Sequence, residues 1–112
     1  MDMEPAPQRA TWPRSRRGIV IGDLSELHGP TSGVVELPHR LFWQPDRRVD
    51  LDNPALLRWM YETVLREAVT ADELRRWLDG PTLVAVWPDL YIPRPIRSLW
   101  ESRYPSLRRA AA

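Results

Sequence analysis

The chain has 112 residues, a formal net charge of +1 and no cysteine, and these values exclude several classes of protein. Domains commonly contain about 50–250 residues, so we expect a single domain. Without cysteine there are no disulfides, thiol nucleophiles or cysteine-ligated metals. The longest apolar run, Leu83 to Trp87, is far shorter than the ~20 residues of a membrane span. No signal peptide is visible in the proline-rich N-terminus. A cytoplasmic protein without a membrane anchor is therefore expected.

All sixteen basic residues are arginine, and they are concentrated at the two ends of the chain. Residues 9–17 contain four arginines and no acid, and residues 94–112 contain five arginines against Glu101. Arginine suits bidentate contacts with carboxylates or phosphates. Complete lysine avoidance is also typical of a GC-rich genome, and the small net charge disfavours a globally basic nucleic-acid-binding protein.

The N-terminal half predicts a flexible arm followed by short strands. Residues 1–17 combine three prolines with charges and no apolar periodicity, which is typical of a disordered segment. Residues 18–112 are expected to form the single globular domain. Three short apolar runs predict a small β meander: Gly18 to Ile21, Val34 to Leu37 and Leu41 to Trp43.

The C-terminal half predicts three or four helices. Asn53-Pro54 is a helix start, and the apolar stripe of the helix that follows is Leu57, Met60, Tyr61, Val64, Leu65 and Ala68. Arg58, Glu62 and Arg66 follow at four-residue spacing, which predicts ion pairs. A capping box at Thr70 to Glu73 predicts a second helix, ended by Gly80-Pro81. A short buried turn over Leu83 to Trp87 and a last helix from Pro95 to Pro105 complete an α+β fold.

The candidates for catalysis and metal binding all have simpler structural explanations. His28 and His39, the only histidines, have no nucleophile or carboxylate in a recognised arrangement beside them. Asp46, Asp50 and Asp52 lack the central glycine and terminal glutamate of a calcium loop, and the last two precede a helix N-terminus that favours negative charge. We therefore expect no enzyme, no cofactor and no metal.

Two other patterns bear on binding. The helices joined near Thr70 resemble a helix-turn-helix with Arg75 and Arg76 on the second helix, but the turn lacks the usual glycine and the second helix is short and acidic. The six tryptophans are also candidates for a base-stacking surface. Four of them lie on apolar faces and are expected in the core: Trp43, Trp77, Trp87 and Trp100.

Trp12 lies in the arm and Trp59 lies beside the apolar stripe of its helix, so these two are the better interaction candidates. Arg66 follows Trp59 by two helical turns on the same side. A Trp and Arg pair is typical of binding hot spots, so Trp59 and Arg66 are the predicted partner-binding residues. The alternative is that Trp59 only covers the segment from Leu41 to Trp43.

Four segments resemble a group of short uncharacterised proteins of GC-rich bacteria. They are Gly22-Asp-Leu-x-x-Leu-His-Gly-Pro-Thr-Ser-Gly33, Leu51-Asp52, Val86-Trp-Pro-Asp-Leu-Tyr91 and Trp100-Glu101. The resemblance covers most of residues 18–112, and the group is associated with loci that encode nucleotidyltransferase-like, abortive-infection type toxins and a regulator. It implies a regulatory protein with a protein partner, such as a toxin-type nucleotidyltransferase. The alternative is a DNA-binding transcriptional regulator that uses the arginine-rich termini.

Overall fold

In the computed structural model, which describes residues 19–42 and 46–111, a two-stranded antiparallel hairpin precedes five α-helices. The elements are a 3₁₀ turn at Leu24–Glu26, β1 at Val34–Glu36, β2 at Arg48–Asp50, α1 at Pro54–Glu67, α2 at Ala71–Trp77, α3 at Gly80–Val86, a second 3₁₀ turn at Trp87–Asp89, α4 at Arg94–Arg103 and α5 at Pro105–Ala111. The predicted α+β class, with a small β unit before the helices, is confirmed. The predicted arm over residues 1–17, which includes Trp12, lies outside the described residues.

The strands are not all where the apolar runs predict them. β1 pairs with β2, with Val35 opposite Val49, and no apolar run predicts β2. Ile19 to Ile21 and Leu41 to Phe42 are not strands, while Gly18 and Trp43 lie outside the described residues. Leu41 and Phe42 instead form a turn in which both N–H groups donate to the carbonyl of Pro38. The predicted third strand is therefore replaced by Arg48–Asp50, of which only Val49 is buried.

Helix α1 begins where its sequence predicts. The Asn53 side chain accepts hydrogen bonds from the N–H groups of Ala55 and Leu56, and Pro54 occupies the first turn, where its missing N–H is not needed. All six residues of the predicted apolar stripe are buried: Leu57, Met60, Tyr61, Val64, Leu65 and Ala68. This stripe packs α1 against α2 and β2 and leaves the flank that carries Trp59 and Arg66 at the surface.

The capping box of α2 is confirmed, but the role predicted for Gly80-Pro81 is wrong. Thr70 accepts the N–H of Glu73, and the Glu73 carboxylate accepts the N–H of Thr70. Gly80-Pro81 begins α3 and does not end α2, because the Asp79 carboxylate caps α3 by accepting the N–H of Thr82 at 3.2 Å. The predicted helical turn over Leu83 to Trp87 is thus the middle of a longer helical segment, in which Leu83 and Trp87 are buried.

The C-terminal helices are held by Trp87, which is fully buried. Its indole N–H donates to the Glu101 carboxylate at 2.8 Å, and the Arg97 guanidinium lies 5.0 Å from the centre of its ring. Arg97 also donates to the carbonyl of Leu90. The predicted burial of Trp77, Trp87 and Trp100 is confirmed, and they belong to one hydrophobic cluster that spans the described chain. Pro105 ends α4 as predicted and then begins α5.

Two buried tyrosines fix the backbone over long sequence distances. The Tyr104 hydroxyl accepts the N–H of Ile21 at 2.9 Å and donates to the carbonyl of the same residue. The Tyr61 hydroxyl accepts the N–H of Asp79 at 2.9 Å. These bonds join the segment before the first 3₁₀ turn to the end of α4, and α1 to the start of α3, so the site-bearing helix α1 has a fixed orientation in the fold.

The burial of Tyr61 predicts a loss of stability at alkaline pH. Burial raises the pKa of Tyr61 from 10.0 to about 12, the Asp79 charge adds to the rise, and the bond from the Asp79 N–H opposes it. Folding favours the neutral phenol of Tyr61. Its contribution to the free energy of unfolding is therefore fully present below pH 10 and is lost between pH 10 and about 12. The expected loss in the free energy of unfolding is about 2–3 kcal/mol, because each unit of pKa difference between the folded and unfolded states corresponds to about 1.4 kcal/mol.

Chemical denaturation across this pH range measures the loss. A Tyr61→Phe variant is the control, since it has no phenol at this position and its stability is expected to fall less steeply. Burial also raises the pKa of Tyr104, so a residual slope of the same sign remains in the variant. Equal slopes for the two proteins would contradict the assignment to Tyr61.

Candidate functional site

Trp59 lies on the exposed flank of α1 and is partly buried against Phe42. The two rings meet edge to face, with their centroids 4.6 Å apart and their planes at 71°. In this contact Trp59 covers part of the segment that begins at Leu41, in agreement with the alternative interpretation of Trp59. Its remaining surface lines two hollows, which it shares with Phe42.

Trp59 and Arg66 line the same hollow, of about 240 Å³. Seven residues separate them, which is about 10 Å along the helix axis. Phe42 and Thr63 also line this hollow, and the Thr63 hydroxyl donates to the Trp59 carbonyl within the helix. Arg40 and Glu67 line the hollow as well, and Arg40 pairs with Glu73 and donates to the carbonyl of Glu67 at 3.1 Å. The sequence-predicted pair thus occupies one concave surface.

Arg66 also lines a second, larger hollow of about 700 Å³, between α1 and the segment that leads into α4. The other lining residues are Tyr91, Ile92, Pro93 and Arg94. Tyr91 leaves 87% of its surface exposed, which is the largest exposure among the described large apolar residues. An exposed aromatic side chain on an ordered backbone is a favourable binding group, because little conformational entropy is lost when it is covered.

A third hollow, of about 440 Å³, continues from Trp59 towards the start of α1. Its lining includes Phe42, Val49 and Leu56, and Leu56 is another exposed apolar residue. Trp59 lines two of these hollows and Arg66 lines two, so the three hollows adjoin one another along α1. We call this surface the α1 groove, defined by Phe42, Leu56, Trp59, Arg66, Tyr91 and Arg94.

Glu62 positions Tyr91 at the edge of the groove. Its carboxylate accepts the Tyr91 N–H at 2.8 Å, which holds the extended Leu90 to Pro93 segment against α1. The predicted ion pairs of Glu62 with Arg58 and Arg66 are absent from the described part of the chain, so this prediction is wrong. Glu62 binds a backbone group of a segment 29 residues later, and sequence spacing within α1 cannot show that contact.

Both histidines are exposed, and each aspartate of the trio accepts a backbone N–H, from Arg48, Asp52 and Gly33 respectively. His28 is exposed and pairs through its backbone with Asp79, while His39 is exposed in the turn before Leu41. Asp46 pairs with Arg48 at 3.1 Å, and this arginine lowers the pKa of the Asp46 carboxyl. Within residues 19–42 and 46–111, no group of three metal-ligating side chains comes together.

The two arginines of α2 are engaged within the fold. Arg75 pairs with Glu26 at 2.9 Å and with Asp72 at 2.7 Å. Arg76 lies over the Trp77 ring, 5.5 Å from its centre. The seven-residue α2 therefore presents one arginine held by two carboxylates and a second held against an aromatic ring, which does not favour the helix-turn-helix interpretation.

The sequence identifies part of the groove. Trp59 and Arg66 are found because both belong to one helix, where spacing determines the face. Phe42, Tyr91 and Arg94 are missed, since they reach the groove through contacts between distant segments. The signal for Tyr91 is its position among prolines, which keeps the segment extended.

Comparison of the chain with protein-family models, curated proteins and solved structures found no match. No helix in the described ranges is long and apolar enough to cross a membrane.

Proposed function

We propose that this chain is a non-enzymatic, cytoplasmic interaction protein that binds a protein partner through the α1 groove. The observation that carries the proposal is the pair of adjoining hollows in which Trp59 and Arg66 line one and Arg66 and the exposed Tyr91 line the other. Tryptophan, tyrosine and arginine are the residue types enriched at binding hot spots. The resemblance to proteins of toxin loci makes a nucleotidyltransferase-like toxin the first partner to test.

DNA binding is the competing function. Arg103, Arg108 and Arg109 are exposed on α4 and α5, and none of them lines the groove. A complex dominated by phosphate contacts loses affinity steeply with salt, whereas an apolar interface does not. The salt dependence of binding therefore distinguishes the two functions.

The test is partner capture by a Trp59→Ala, Arg66→Ala double variant in the native host. We expect the wild-type chain to retain a specific protein partner and the double variant to lose it, because both groups line the same hollow. Arg58→Ala is the matched control: it removes an arginine from α1 that does not line the groove.

A second double variant distinguishes loss of binding from loss of folding. Trp59 packs on Phe42, so thermal unfolding of the double variant is measured alongside binding. The Arg66→Ala, Tyr91→Ala double variant leaves the packing of Trp59 on Phe42 in place, and it is also expected to lose the partner. Full retention of the partner by this folded variant and by a folded Trp59→Ala, Arg66→Ala variant would refute the proposal.

A further inference from the structure

The end of the α1 groove near α4 carries positive charge without compensation. Its hollow of about 700 Å³ is lined by Arg66, Arg94 and three uncharged residues, and no carboxylate is among the described lining residues. Of the acids on α1, Glu62 is already bound to the Tyr91 N–H, and Glu67 lines the neighbouring hollow of about 240 Å³. This end of the groove therefore favours a negatively charged occupant.

Arg66 and Arg94 are among the described arginines that have no carboxylate partner within the fold. Five described arginines pair with carboxylates within the chain: Arg40, Arg47, Arg48, Arg75 and Arg97. Within the same ranges, neither Arg66 nor Arg94 has a carboxylate at ion-pair distance. Both guanidinium groups are thus available to a partner, and they flank the exposed Tyr91.

We propose that the groove binds an acidic, extended segment of the partner protein, with carboxylates at Arg66 and Arg94 and an apolar side chain beside Trp59. This inference rests on the proposed function and specifies the chemistry of the partner. The distance of about 10 Å along α1 from Trp59 to Arg66 corresponds to about three residues of extended chain, at roughly 3.3 Å per residue. The partner motif is therefore an apolar residue and an acidic residue about three positions apart.

A nucleic acid fits the same groove less well. Phe42 and Trp59 meet at 71°, so they do not offer the row of open ring faces on which successive bases stack. Four described arginines line the three hollows, but Arg40 and Arg48 are paired with carboxylates, and the net charge of the chain is +1. Carboxylates on a peptide match this modest charge, and arginine binds them with its planar fork.

A random peptide display library, selected on the full chain, tests the proposal. Parallel selections use Arg66→Gln with Arg94→Gln, Trp59→Ala, and Arg58→Gln as the matched control. We expect the wild-type and Arg58→Gln proteins to enrich peptides with an apolar residue and a nearby acid. The double glutamine variant is expected to lose the acidic preference, and an enriched peptide should bind it on the order of tenfold more weakly.

Each failure has a different meaning. Enriched peptides that require Trp59 but carry no acid would overturn the inference and leave the proposed function standing. Peptides that bind Trp59→Ala as well as the wild type, with that variant folded, would overturn the inference, and peptides that bind both folded groove variants equally well would overturn the proposed function too. Displacement of the enriched peptide by a single-stranded oligonucleotide of unrelated sequence at low peptide occupancy would also overturn the inference, because the groove would then bind phosphates.

Discussion

Trp87→Ala is expected to lower the free energy of unfolding by about 3–5 kcal/mol, the range for buried aromatic side chains. Trp87 is fully buried, lies 6.4 Å from Trp100 between ring centroids, and donates to Glu101 at 2.8 Å. Its removal leaves a cavity and takes away a hydrogen-bond partner of Glu101. Small domains are stable by about 5–15 kcal/mol, so this loss is a large share of the total.

Denaturant unfolding followed by circular dichroism measures this loss without relying on tryptophan fluorescence. Tyr91→Ala is the control, because it removes an aromatic side chain that is 87% exposed, and its effect should stay within about 0.5 kcal/mol. An unchanged unfolding midpoint for Trp87→Ala would show that Trp87 is not an anchor of the core.

Gly29→Ala is expected to destabilise the fold by about 1–3 kcal/mol, as overpacked sites do. A Cβ atom at Gly29 would lie 2.5 Å from the carbonyl carbon of Trp77 and 2.7 Å from the nitrogen of Leu78. These are backbone atoms, and the Gly29 N–H donates to the Leu78 carbonyl at 2.8 Å, so the two segments cannot separate without losing that bond.

Gly22→Ala is the matched control for this prediction. Its Cβ atom would meet only the Glu26 carboxylate, at 2.7 Å, which is the end of a flexible side chain. Moving Glu26 disturbs one exposed capping bond and the exposed ion pair with Arg75, so the expected loss is at most about 1 kcal/mol. Unfolding free energies that are equal for the two variants would contradict the close backbone approach at Gly29.

The helices are predictable because their signals are local. Asn53-Pro54 and the Thr70 capping box each lie within a few residues of the N–H groups that they cap. Gly80-Pro81 is misassigned because glycine and proline occur both after a helix and at the start of one. The Asp79 carboxylate decides between these possibilities by capping α3.

The strands and half of the groove depend on distant contacts. Ile21 lies in an apolar run that resembles a strand, but its backbone is bound by the Tyr104 hydroxyl, 83 residues away. In the same way, helical spacing locates Trp59 and Arg66, whereas Tyr91 reaches the groove through the bond from its N–H to Glu62. The residue pattern within one segment carries no information about such contacts between distant segments.

The most direct test of the account is the affinity of the purified partner for two variants measured side by side. The account predicts that Arg66→Ala with Tyr91→Ala weakens binding by at least about tenfold, which is about 1.4 kcal/mol, while Arg58→Ala leaves the dissociation constant unchanged. Equal affinities for the wild type and both folded variants would contradict the claim that the partner binds in the α1 groove.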